Sequence, residues 1–499
     1  MPAIIKSRIC NLLIILLGGL SLSGVPNSVS PPNIIIILAD DLGYGDLQSY
    51  NPASLVPTPN LNRLASEGIR LINAYCPVAV CSPTRYSLMT GRYSFRSWKP
   101  NGVMANYEPS LIEDEILTLP EMLKEAGYTT AGFGKWHLGT TFPTLDGEKP
   151  AGYGKFRADD NGANLDLSKP VSDGPLDHGF DHWLGFSCAS ECWILENNQI
   201  AAIIDHDLYT TEATPGAERL PKYKLEEYLP YITDQTLDFL KTQPSANQPF
   251  FLYYAPYVPH IPLAVNERFR GTTKAGLYGD YVYELDYYVG QILAALDSLE
   301  LSNNTIVLFA SDNGSQFEMI AQGMNLENAQ NTPASSVEGT LTDKVHHPNG
   351  KLRGTKWSVW EGGVRTPFIA RWPNHFPAKA TSEDIFALND VLATLAAVVD
   401  YELLENSAHD SHNLLPLLLG KEKGARESVV VKASNNIYGL RQGKWKYVEE
   451  GNDKPPQLYD LSLDEEETND VSLQHPTIAQ KMAQKLAEIL NSDRTVMNY

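Results

Sequence analysis

The chain carries two short runs from which water-facing positions are missing. Asn33–Ala39 is apolar from Ile34 onward and rich in isoleucine, and Thr305–Ala310 repeats the texture. Such runs predict strands covered on both faces of a parallel sheet, because a half-exposed strand would alternate. The first stops at Asp40-Asp41 and the second at Asp312-Asn313-Gly314. Two buried strands that deliver acidic or amide side chains at their carboxyl ends point to ligands gathered at that edge of the sheet.

Elsewhere the period lengthens. Residues 278–298 place Val282, Leu285, Val289, Ile292 and Leu296 at three-to-four spacing, which predicts a helix laid on a sheet face with this stripe as core. Thr118-Leu119-Pro120-Glu121 reads as a capping box with proline in the first turn, closed by Gly127. From about residue 425 the runs shorten to strands at Ser428–Lys432, Tyr438–Arg441, Lys444–Val448 and Leu458–Leu461, followed by a helix at 477–491. The fold class is therefore α/β: a large mixed, mostly parallel sheet sandwiched by helices over 31–424, then a smaller C-terminal antiparallel sheet plus helix over 425–499. A length of 499 residues suits two such units. Two polar stretches of weak periodicity, 141–178 and 318–350, are expected around the mouth of a site.

The N-terminus reads as an export signal, residues 1–24, with Lys6 and Arg8 before the apolar core Leu12–Leu22 and small residues at Ser21, Ser23 and Gly24. The apolar run is shorter than the roughly 20 residues that span a bilayer, so no stable membrane insertion is expected after cleavage. Periplasm, cell surface and extracellular medium all fit, as does a lysosome-like compartment in a eukaryotic host. Net charge is -21, and losing Lys6 and Arg8 leaves -23. That excludes nonspecific nucleic-acid binding and requires any anionic substrate to find a local cationic pocket. Once Cys10 leaves with the signal, four scattered cysteines remain, too few for a disulfide scaffold. Cys76 reads as core, and Cys188 and Cys192 as either a pair or two buried thiols.

Cys81 is different. It heads Cys81-Ser82-Pro83-Thr84-Arg85, followed by Thr90-Gly91-Arg92. Ser82 before Pro83 predicts an N-cap and first helical residue, which would set Cys81 at a helix start that favours anions. A plain nucleophilic thiol is one reading of that position. Asp40, Asp41, Asp312 and Asn313 offer hard oxygen ligands.

The Cys-x-Pro-x-Arg segment with its downstream Thr-Gly-Arg resembles the signal of the type I, formylglycine-dependent sulfatases, arylsulfatase A-like members of the alkaline phosphatase superfamily. Gly134-Lys135-Trp136-His137-Leu138-Gly139, Pro259-His260-Ile261-Pro262, Asp312-Asn313-Gly314, Lys351-x-Arg353-Gly354-x-Lys356 and Glu361-Gly362-Gly363-x-Arg365-x-Pro367 match in the same order. The resemblance implies an alkaline phosphatase-like fold and one Ca²⁺ held by Asp40, Asp41, Asp312, Asn313 and the modified Cys81. It also implies a formylglycine made from Cys81 by the formylglycine-generating enzyme, and hydrolysis of sulfate esters of carbohydrates or aryl alcohols. In it Arg85 and Lys135 steady the formylglycine, and Lys356 contacts sulfate and the leaving oxygen. His260 protonates that oxygen, His137 takes the second diol proton, and Asp312 offers a base for the attacking hydroxyl. Tyr257 stands where members often carry histidine, and Gly185-Phe186-Ser187-Cys188-Ala189 supplies no assigned sulfate-binding hydroxyl. Two other readings stay open: a phosphate or phosphonate ester hydrolase of the same superfamily, and a non-catalytic binder of sulfated glycans. Trp183, Trp193, Trp357 and Trp360 are candidates to stack on sugar rings.

Overall fold

Both apolar runs are strands, and they are neighbours. The computed structural model describes residues 30–156, 161–188, 191–205, 213–246, 248–321, 345–451 and 454–496. The expected export signal and most of the polar stretch 318–350 lie outside them. Among the described residues one sheet takes β1 (Asn33–Ala39), β2 (Ile69–Tyr75), β3 (Thr129–Lys135), β4 (His182–Phe186), β5 (Trp193–Glu196), β6 (Gln199–Asp205), β7 (Lys222–Lys224), β8 (Phe250–Ala255) and β9 (Thr305–Ser311). A ribbon of β10 (Ile320–Ala321) and β11 (Val345–His346) stands apart, and β12 (Phe368–Arg371) and β13 (Ala380–Ala387) return to the large sheet. Its spatial order is β13-β2-β12-β9-β1-β8-β3-β4-β5-β6-β7.

The central block β9-β1-β8-β3-β4 is parallel throughout, so five carboxyl ends open at one edge. Antiparallel β12 and β5 flank it and make the sheet mixed. Every residue of β1, β8 and β9 is buried, as two-sided coverage requires. Ala39 pairs with Ser311 in the β1–β9 register, which sets Asp40 beside Asp312 at the edge. Strands β3, β4 and β8 approach so closely that a Cβ on Gly134 would lie 2.0 Å from the Ala255 carbonyl oxygen, and one on Gly185 1.8 Å from that of Gly134. Both glycines also sit at positive φ, so glycine is required on both counts.

Helices α1 (Pro59–Glu67), α2 (Cys81–Thr90), α3 (Leu119–Glu125), α4 (Leu225–Thr242) and α5 (Gly276–Ser298) cover the sheet. The stripe read from the sequence is buried along α5, and α3 opens with the expected capping box. One expectation fails at α2. The helix begins at Cys81 with Val80 as N-cap, because the Ser82 hydroxyl is engaged elsewhere, accepting the Met104 N–H at 3.1 Å.

The second sheet is antiparallel, β14 (Ser428–Lys432), β15 (Tyr438–Gln442), β16 (Trp445–Glu449) and β17 (Gln457–Asp460), with a helix at Pro476–Asn491. It is docked by buried charge. Lys446 on β16 lies 2.9 Å from Glu361 and 2.8 Å from Glu467, all three fully buried. Glu361 opens α6 (Glu361–Val364), so the Glu-Gly-Gly motif serves here as an anchor between the two sheets.

Candidate active site

The open edge of the parallel block collects nearly everything that the sequence singled out. Asp40 and Asp41 follow β1, Lys135 ends β3, His137 lies two residues on, His260 follows β8, Asp312 and Asn313 follow β9, and Cys81 and Arg85 enter on α2. Lys356 is brought in by a loop whose Lys356 N–H donates to the Ser315 carbonyl oxygen at 3.0 Å. The end of the polar stretch 318–350 packs on the same edge, with the Gly45 N–H on the Pro348 carbonyl oxygen at 2.6 Å.

A left-handed backbone at Asp41, φ 66°, separates two adjacent carboxylates. Asp40 accepts from Lys135 Nζ at 2.7 Å and lies 3.6 Å from Cys81 Sγ. Asp41 accepts from Lys356 Nζ and from Asn313 Nδ2, both at 2.7 Å, and lies 3.7 Å from His260 Nε2. Arg85 donates from Nε and Nη2 to Asp312 at 3.1 and 2.8 Å, and from Nη1 to the Lys135 carbonyl oxygen and the Tyr253 hydroxyl. Ligand atoms of Asp40, Asp41, Cys81 and His260 all lie within 4.8 Å of one another. Asn313 Oδ1 is buried without a hydrogen-bond partner.

Burial sets the electrostatics. It pushes Asp312 up to about 7, aided by the charge of Asp40, even against Arg85. Asp40 is held well below the usual carboxylate range, because Lys135, His260, Arg85 and Lys356 together outweigh its burial. The Cys81 thiol is pushed up to about 12 by burial, which Lys135 and Lys356 offset only in part. At neutral pH it is therefore a protonated thiol, and the helix start alone does not make it a thiolate nucleophile. Burial also lowers both histidines, His260 to about 4 with help from Lys356, and His137 well below its ordinary value, with Lys135 and Arg85 contributing. Each ring is held by one nitrogen. His260 Nδ1 meets the Ile261 carbonyl oxygen at 2.6 Å, and His137 Nε2 meets that of Met104 at 3.0 Å, leaving His137 Nδ1 buried and unpartnered.

The sequence reading missed three supports. Tyr253 steadies Arg85 but sits inside a uniformly apolar strand, where nothing marks its hydroxyl. Tyr257, noted only as a departure, lies 5.3 Å beneath Lys135 Nζ and 4.7 Å from the His260 ring, and its hydroxyl donates to the Ile261 carbonyl oxygen. Met104 acts through its backbone, which no side-chain pattern reveals. Three of the four sugar-stacking candidates are also corrected. Trp183 and Trp193 are core residues, and Trp360 lies under Arg353 at 3.6 Å and against Tyr459; only Trp357 is exposed. No disulfide joins Cys188 to Cys192, and both are buried.

A dry edge that sets cations and hard oxygen donors around one helix start suits the ester of a tetrahedral oxyanion, and the class it defines is that of hydrolases acting on such esters. Within that class, residues 32–401 match the family model described as Sulfatase, and the chain belongs to the sulfatase family. Its members are sulfuric ester hydrolases. The chain is 32% identical to an N-acetylgalactosamine-6-O-sulfatase of Bacteroides thetaiotaomicron over 505 residues, covering 93% of each. It is 32% identical to human arylsulfatase A over 486 residues, covering 91% of this chain and 85% of the other. Among solved structures, one from work on glycosaminoglycan metabolism by Bacteroides thetaiotaomicron superposes with TM-score 0.78 at 30% identity, covering 93% of this chain and all of that one.

Proposed function

We propose that the protein is an exported sulfatase that removes sulfate from glycans, N-acetylgalactosamine 6-sulfate being the first substrate to test. A formylglycine derived from Cys81 would work beside a Ca²⁺ held by Asp40, Asp41, Asp312, Asn313 and residue 81. The observation that carries the reading is the convergence of Cys81 with three carboxylates and three cations in one buried cradle. Coverage of almost the whole length of the bacterial N-acetylgalactosamine-6-O-sulfatase supports the sugar. Among the described residues no helix is long and apolar enough to cross a membrane.

The residues present fit a hard divalent cation. Asn313 Oδ1 is a buried oxygen in want of a partner, and Asp312 is pushed up by burial and then by the Asp40 charge that a cation would neutralise. Charge counting agrees. Asp40, Asp41 and Asp312 balance Arg85, Lys135 and Lys356, so a doubly charged ion leaves the cradle positive inside a chain of net charge -21. When present, the hydrated aldehyde supplies an oxygen nucleophile that can shed sulfate by collapsing to the carbonyl, and the ion draws charge from sulfate.

The chain's own groups do the rest. Lys135 fixes Asp40, which lies against residue 81, Arg85 fixes Asp312, and Lys356 meets the sulfate from the Asp41 side. His260 donates through Nδ1 to Ile261, so Nε2 is the nitrogen left to face the leaving oxygen, and it serves as an acid only once the ring has gained a second proton. His137 donates through Nε2 to Met104, which leaves Nδ1 as a proton acceptor.

The test is release of inorganic sulfate from a panel of sulfated mono- and disaccharides by enzyme co-expressed with the formylglycine-generating enzyme, with Cys81→Ala as control. Release from N-acetylgalactosamine 6-sulfate that vanishes in the control is expected. No release from any member, with mass spectrometry showing formylglycine at position 81, overturns the carbohydrate assignment.

A further inference from the structure

Trp357 is a large aromatic residue where a small one would be relaxed. Its φ is 72°, in the left-handed region, where a residue with a Cβ is disfavoured relative to glycine. The conformation is held at both ends: the Trp357 N–H donates to the Ala79 carbonyl oxygen at 2.7 Å, and its carbonyl oxygen accepts the Ser434 N–H at 3.2 Å. Ala79 stands two residues before Cys81, so the tryptophan is tied to the segment that leads into the nucleophile position. The residue is 41% exposed, unlike the buried Trp183 and Trp193. Lys356 Nζ lies 5.3 Å from its ring while donating to Asp41. An exposed indole held in this backbone beside the site's own cation points to a contact surface.

We infer that Trp357 is the platform on which the sulfate-bearing sugar lies. The inference rests on the proposed function and adds to it the residue that recognises the ring. A galacto-configured pyranose has an apolar face made by the hydrogens of C3, C4 and C5, which suits the face of an indole. Its C6 projects from C5, so a ring lying on Trp357 presents a 6-sulfate toward Lys356, the adjacent residue. Charge and ring are then read by neighbouring side chains, Lys356 for the sulfate and Trp357 for the sugar.

The experiment compares wild type, Trp357→Ala, Trp357→Gly and Trp357→Phe, all matured in the same way, on N-acetylgalactosamine 6-sulfate. KM is expected to rise at least ten-fold in the Ala and Gly variants and to stay within about three-fold in the Phe variant, which keeps an aromatic face. Inorganic sulfate has no ring, so its inhibition constant should change less than about two-fold throughout. An unchanged KM in the Ala and Gly variants overturns the inference. So does a sulfate inhibition constant that rises in step with KM, which would make Trp357 a support for Lys356. Failure of the wild type on this sugar counts against the proposed substrate instead, and the same variants are then compared on whichever sulfated pyranoside the panel identifies. If the panel identifies none, calorimetric binding of a chondroitin 6-sulfate disaccharide decides, and equal affinity of wild type and Trp357→Ala, or no binding by either, overturns the platform.

Discussion

Lys356 Nζ lies 2.7 Å from Asp41 Oδ2, a pair that joins positions 315 residues apart in the chain. The lysine is thereby fixed between a carboxylate and the open side of the cradle. Lys356→Ala is expected to lower kcat/KM for sulfate release by about 10²–10³-fold, the usual cost of removing one oriented charge from a buried oxyanion site. Lys356→Arg should recover little, since a planar fork cannot take the place of a point charge pinned at Asp41. Near-normal kinetics in Lys356→Ala would remove this residue from the site.

Calcium should stabilise the folded protein as well as support activity. A ligand at a thousand times its Kd adds about 4 kcal/mol to folding stability. Thermal unfolding of metal-stripped protein titrated with Ca²⁺ should therefore show a saturable rise in Tm, and Asn313→Ala should abolish it. A rise of equal size in that variant would place the ion elsewhere.

Glu284 on α5 gives a pH dependence away from the site. Burial pushes its carboxyl up to about 8, and among the described residues it accepts one hydrogen bond, from the Asn266 N–H at 3.0 Å. Its ordinary value is 4.5. Below pH 4.5 both folded and unfolded chains hold the proton and no penalty arises. Between pH 4.5 and 8 the unfolded chain releases it and the folded chain keeps it, so stability falls by at most roughly 1.4 kcal/mol per pH unit. Urea midpoints measured across this range should decline, and Glu284→Gln, which keeps an acceptor for Asn266, should make that decline shallower. The same slope in both proteins would refute the assignment.

Lys446 bridges Glu361 and Glu467 inside the junction of the two sheets. Lys446→Met leaves two buried carboxylates facing one another and is expected to cost about 3–5 kcal/mol in urea unfolding. Adding Glu467→Gln should return part of the loss. A midpoint unmoved by the single change would mean that water reaches the junction.

Legibility from the sequence followed physical locality. Asn33–Ala39 was readable because two-sided burial leaves no polar position to confuse the pattern, and Ser428–Lys432 because a hairpin sheet keeps its partners close in the chain. The capping box at Thr118 was readable because both its bonds are made within four residues. The Ser82 cap was misread because its partner, Met104, lies 22 residues away and wins the hydroxyl. The cradle's members could be named from motifs, yet their pairing could not. Whether Lys135 meets Asp40 or Asp41 depends on the β1–β8–β3 order and on the turn at Asp41, which are properties of the assembled sheet. The four tryptophans show the same limit, since burial of Trp183 and exposure of Trp357 are set by what packs on them.

All ten residues of α2 are buried, Cys81 among them. A helix enclosed on every side cannot be threaded into the active site of another enzyme, so the oxidation proposed for Cys81 has to be finished before the chain closes over it. On that proposal maturation becomes a matter of timing: a modifying enzyme would compete with folding for the segment from Cys81 to Arg92, and a molecule that folded first would keep its thiol.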